Sequence, residues 1–97
     1  MNSIEYPLLL LLDGDKRYRS IELNSKGELV FEQTDIGHNT ARLAPNGGDS
    51  DYEYWVTVGP KSVNKVLLEL IKEKFNVQSE FEVWLKLKNI NYTFYSY

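Results

Sequence analysis

The hydrophobic period of this chain changes at Gly59-Pro60, and that change fixes the class of fold open to it. Before it, apolar and polar residues alternate in short runs between turn-forming residues, the mark of strands whose side chains point to two faces in turn. After it, Val63, Val66, Leu67, Leu70, Ile71 and Phe75 recur at i, i+3, i+4 and i+7, one stripe of an amphipathic helix. Pro60 suits the first turn of that helix, where a backbone N–H has no intrahelical partner anyway. Strands first and helices second predict an α+β architecture.

The strand half divides at its turns. Residues 4–12 form a nearly continuous apolar run ending in Leu8-Leu9-Leu10-Leu11-Leu12, as expected of a central strand covered on both faces. Pro7 lacks an N–H and marks that strand's start or an unpaired position. Asp13-Gly14-Asp15 supplies a tight turn, residues 16–23 return as a second strand, and Asn24-Ser25-Lys26-Gly27 turns into a third at 28–33. Residues 34–50 are irregular and hold Gly37, Gly47, Gly48, Pro45 and the only histidine, His38. Connections longer than about 12 residues are uncommon and tend to be functional or mobile.

The fourth strand, Asp51 to Val58, puts Tyr52, Tyr54, Val56 and Val58 on one face and Glu53, Trp55 and Thr57 on the other. Asn76 breaks the first helix. Ser79 is the expected N-cap of a second, with Glu80 and Glu82 complementing its dipole and Phe81, Trp84, Leu85 and Lys88 on one face. Asn89 ends it, and the aromatic residues 91–97 read as a last strand. The expected order is β-β-β-β-α-α-β: one α+β domain over residues 1–97, a mainly antiparallel sheet with two helices packed on one face. Phe31, Trp55, Phe75, Trp84 and Phe94 are the expected core aromatics.

Composition excludes several function classes. The chain has no cysteine, hence no disulfide, thiolate zinc site or cysteine nucleophile, which fits a reducing cytoplasm. With a net charge of −3 and a pI near 5.1, it has no global attraction to nucleic acid. The five leucines fall far short of the roughly 20 apolar residues that span a bilayer. Glu5 precedes them and no basic segment does, so they read as a buried strand rather than a secretion signal. A cytoplasmic protein with no membrane segment is expected.

Individual residues offer weak chemistry. His38 titrates near neutrality and has Asp35 and Arg42 nearby in sequence, but acid–base phosphodiester chemistry needs a second titrating group or a metal. It reads first as a solvated loop histidine. Asp49, Asp51 and Glu53 alternate as calcium ligands do, yet the bidentate glutamate of a helix–loop–helix calcium site is missing. No catalytic residue, metal or cofactor is expected. Lys16-Arg17-Tyr18-Arg19 is the one basic cluster, with Arg17 and Arg19 on one strand face and Lys16 and Tyr18 on the other. It offers the alternative reading, a small regulatory or housekeeping domain binding nucleic acid or protein through that strand, beside the plainer one of charges that solubilise a sheet edge.

The stretch from Gly47 to Val58 is the richest candidate, because it loads carboxylates onto an aromatic, β-branched strand. Seven tyrosines and two tryptophans add to the case for recognition, since both rings are enriched at interface hot spots. Asp51-Tyr52-Glu53-Tyr54-Trp55-Val56-Thr57-Val58, the Leu-rich helix, Phe81-Glu82-Val83-Trp84-Leu85 and the terminal Tyr92-Thr93-Phe94-Tyr95 resemble small single-domain bacterial proteins. In size, acidity and strand content the whole chain resembles immunity proteins of toxin–immunity systems, including contact-dependent growth inhibition. That resemblance implies a non-enzymatic protein that covers a cognate toxin, often a basic nuclease, with acidic groups in place of phosphates. Asp35, Asp49, Asp51 and Glu53 are the candidate contacts, with Tyr52 as a buried anchor.

Overall fold

The computed structural model describes residues 2–11, 14–37 and 51–97. It has strands β1 (Ser3–Glu5), β2 (Leu9–Leu10), β3 (Lys16–Leu23), β4 (Leu29–Ile36) and β5 (Asp51–Val58), then helices α1 (Pro60–Lys74) and α2 (Gln78–Leu87). All strand pairs are antiparallel, in the order β1-β3-β4-β5, with β2 also on β3. The α+β class and the strands-then-helices order agree with the sequence. The chain clusters into two compact units, Met1–Val63 with the sheet and Asn64–Tyr97 with most of the helical part.

Three elements depart from expectation, each for a physical reason. The leucine run is not a buried central strand. It lies at the sheet's edge on β3, with Leu8, Leu9 and Leu10 exposed. Pro7 splits it: Ile4 stands opposite Ile21, but Leu9 stands opposite Arg17, a register shift of one residue between them. An extra residue at a position that cannot donate makes a bulge, the usual place for proline in a sheet.

The strand expected at 28–33 runs on to Ile36, so Asp35 sits in β4 and not in a loop. Both neighbours are eight residues long, and pairing holds β4 across its whole length. Residues 91–97 form no strand. Among the described residues no backbone hydrogen bond reaches them, and β propensity alone does not make a ladder. Phe94, expected in the core, is 62% exposed.

The β3–β4 turn is built by Asn24, whose Oδ1 accepts from the N–H groups of Lys26 and Glu28, both at 3.0 Å. Gly27 takes φ +78° there, a left-handed conformation suited to glycine. Around β4 the register stacks apolar rows, Ile21–Phe31–Val56 and Leu23–Leu29–Val58, on one sheet face.

In the second unit Phe75, Phe81 and Trp84 cluster with ring centroids 5.3 to 6.4 Å apart. Helix α2 begins two residues earlier than Ser79 predicts. Its N-cap is Val77, and Glu80 Oε1 accepts from the N–H groups of Asn76 (2.7 Å) and Val77 (3.3 Å). Its end follows expectation. Asn89 adopts φ +57°, with its N–H on the Lys86 carbonyl and the Ile90 N–H on that of Leu85, a Schellman closure.

Candidate protein-binding site

Residues directly opposite each other in an antiparallel sheet share a face, so the register assigns every β-strand side chain to one of two surfaces. One row reads Arg17–Asp35–Tyr52 and the next on the same face Arg19–Gln33–Tyr54. The rows between them, Lys16–Ile36–Asp51, Tyr18–Thr34–Glu53 and Ser20–Glu32–Trp55, point the other way.

The first face carries a closed polar network. Arg17 donates to Asp35 through both Nε to Oδ1 (2.7 Å) and Nη2 to Oδ2 (3.0 Å), a bidentate pair. Gln33 Nε2 donates to Asp35 Oδ1 (3.3 Å) and to the Tyr54 hydroxyl, which donates to Asp35 Oδ2 (3.2 Å). The Tyr52 ring lies 4.8 Å from that of Tyr54. Asp35 is only 8% exposed. Arg17's hydrogen bonds hold its carboxyl below the usual carboxylate range, outweighing the opposing effect of burial. The Tyr54 phenol is pushed up, by burial first and then by the Asp35 charge. The Arg17 guanidinium is raised by the same hydrogen bonds. One row along, the Arg19 guanidinium sits 4.9 Å from the Tyr6 ring centroid and donates from Nη2 to the Pro7 carbonyl (3.2 Å). Its Nε is buried with no hydrogen-bond partner among the described residues.

The opposite face has another character. Its β-strand residues include Glu5, Glu22, Glu32, Asp51 and Glu53, five carboxylates, against one ammonium, Lys16, a net of four negative charges. Two large rings stand among them in water: Tyr18 is 46% exposed and Trp55 53%. Exposed aromatics amid charge of one sign are what a charge-selective contact surface needs.

These two faces divide the residues that sequence reasoning grouped together. Asp35 and Tyr52 lie opposite one another on the networked face, Asp35 buried and Tyr52 half-buried. Asp51 and Glu53 lie exposed on the acidic face. Asp49, with His38, Arg42, Gly47 and Gly48, falls outside the described residues. Trp55, expected in the core, is exposed beside Glu53; with Tyr18, Glu5, Glu22 and Glu32 it was missed as a surface residue. The strand alternation already separated Trp55 from Tyr52 and Tyr54, and that was the usable signal. The basic cluster does not make one patch. Arg17 and Arg19 are engaged on the networked face, and Lys16 is alone on the acidic one.

Among the described residues no helix is long and apolar enough to cross a membrane. No group of three or more of their histidine, aspartate or glutamate side chains is arranged to hold a metal ion. No protein-family model, curated protein or solved structure matches the chain.

Proposed function

We propose that this chain is a non-enzymatic protein-binding module whose acidic sheet face grips a basic partner, and that the partner is the toxin of a toxin–immunity pair. The observation that carries the reading is the net of four negative charges on one face of the sheet, set around the exposed rings of Tyr18 and Trp55. Charge of one sign over such an area raises encounter rates with a basic protein by orders of magnitude at low salt. The rings then supply desolvated contact area with little rotamer entropy to lose. Asp51, Glu53 and Trp55, aligned on β5, are the central contacts in this reading.

The finer identity, an immunity protein in the cytoplasm, is supported by size, acidity and the resemblance noted above. It is tested by sequencing the neighbouring genes and producing any toxin domain they encode in the same cell. Wild-type chain restores growth, and Glu53→Lys with Trp55→Ala loses that protection. In vitro the same variant slows association at least tenfold, with the difference shrinking in high salt, while Glu73→Lys on α1 binds as wild type. Equal association rates for the β5 variant and wild type would sink the assignment of this face.

A further inference from the structure

The acidic face contains a recess of about 280 Å³ whose lining includes Glu5, Tyr18, Ser20, Glu32 and Thr34. The register explains why it is there. Glu5, Ser20 and Glu32 form one row across β1, β3 and β4, so a small serine stands between two glutamates. Tyr18 and Thr34 form the neighbouring row and close one side. Arg19 and Tyr6 complete the lining, but the Arg19 guanidinium sits against the Tyr6 ring on the networked face.

Glu32 is half-buried, and among the described residues neither it nor Glu5 has an ion-pair or hydrogen-bond partner. A half-buried carboxylate without a cation is a site with an unmet demand. We infer that this recess takes an arginine side chain of the basic partner, an inference that rests on the function proposed above.

Size and chemistry favour arginine over lysine. Two strand spacings put the Glu5 and Glu32 backbones about 9–10 Å apart. A guanidinium donates from both edges with N–O distances of about 2.8 Å, so one group can reach toward both carboxylates. A lysine ammonium is a point charge and serves one at a time. The guanidinium plane also stacks on the Tyr18 ring, and the hydroxyls of Ser20 and Thr34 accept its remaining N–H groups. An anion is the other occupant to consider, but with two carboxylates in the lining and the Arg19 guanidinium on the opposite face it is the weaker fit.

The test uses the full chain and separates this inference from the one beneath it. Amide shifts are followed by NMR with four probes: N-acetyl-arginine amide, its lysine analogue N-acetyl-lysine amide, a Lys-Gly decapeptide and inorganic phosphate. Expected are saturable shifts at Ser20 and Thr34 with the arginine amide, at least fivefold weaker with the lysine analogue or in Glu5→Gln/Glu32→Gln. The lysine peptide should still bind the acidic face of that variant through Asp51 and Glu53. If the peptide binds wild type but the arginine amide does not localise to the recess, this inference falls and the face assignment stands. If neither binds, both fall. Phosphate shifting Ser20 and Thr34 in place of the arginine amide overturns the choice of ligand.

Discussion

Replacing Arg17 with methionine keeps most of the side chain's volume and removes both donors to Asp35. The Asp35 side chain, 11% exposed, then keeps Gln33 and Tyr54 as its side-chain donors among the described residues. A hydrogen bond to a charged group contributes about 1.5–3 kcal/mol net, and two are lost here. The Arg17 side chain is 31% exposed, so water replaces part of the lost donation. We expect a loss of about 2–3 kcal/mol at neutral pH, a fall in Tm of roughly 10–20 °C for a domain of this size. Urea unfolding followed by tryptophan fluorescence and circular dichroism measures it.

Two further arms identify the cause. Arg17→Met/Asp35→Leu should be more stable than Arg17→Met alone, because most of the cost lies in leaving a buried carboxylate unpaired. The pH dependence has a definite sign. Asp35's carboxyl is lowered in the folded protein, so its contribution is present above the unfolded value near 3.8 and is lost as pH falls through the lower folded value. The gap between wild type and Arg17→Met is therefore full at pH 7 and closes below about pH 4. Tyr54, raised in the fold, gives the opposite limb: its contribution is full below the unfolded value of 10.0 and disappears as pH rises through the folded one. A gap under about 0.5 kcal/mol at pH 7, or one that persists unchanged to pH 2, would refute the reasoning.

Two other substitutions test the geometry of the sheet. Trp55→Ala should cost under about 1 kcal/mol in the same urea assay, against about 3–5 kcal/mol for a core tryptophan, because Trp55 is 53% exposed. A core-sized loss would return that ring to the interior and remove it from the proposed recognition face. Gly37→Ala should destabilise by about 2 kcal/mol or more, since φ is +146° there and the new methyl would run into the Asp15 carboxylate and lie 3.0 Å from its Cα. A neutral Gly37→Ala would mean that the end of β4 relaxes freely.

How much of this was legible beforehand follows from what periodicity can and cannot encode. Alternation within β5 correctly separated Tyr52, Tyr54, Val56 and Val58 from Glu53, Trp55 and Thr57, and within β3 separated the two arginines from Lys16 and Tyr18. Alternation does not say which face of one strand continues which face of the next. That depends on register, set by turn geometry and pairing length. The Arg17–Asp35–Tyr52 row was therefore invisible, and so was the Glu5–Ser20–Glu32 row that makes the recess. Aspartate is depleted in strands, so local propensity gives no reason to carry the strand through Asp35. Arg17's fork offsets that penalty, and the strand continues past it. The last segment misled in the opposite direction: Tyr92, Thr93, Phe94 and Tyr95 favour strands, but a strand needs a neighbour to pair with.

The division of β5 between two faces has a consequence for how such a surface can change. A residue that both supports the fold and touches a partner cannot be altered for one purpose without harm to the other. Here the supporting roles fall on Tyr52 and Tyr54, tied to Asp35 and through it to Arg17, on the face away from Asp51, Glu53 and Trp55. The internal ion pair joins β3 to β4, and the Tyr54 hydroxyl adds β5, so the three strands are held in register by side chains the acidic face does not use. Charges on that acidic face can then be exchanged at a stability cost near that of ordinary surface positions, within about 0.5 kcal/mol, and its exposed rings for under about 1 kcal/mol. A recognition surface backed by an independent clamp is free to follow a changing partner. The two properties should separate in one set of variants: Arg17→Met lowers unfolding stability while the folded fraction keeps its association rate, and Glu53→Lys slows association while the urea midpoint stays in place.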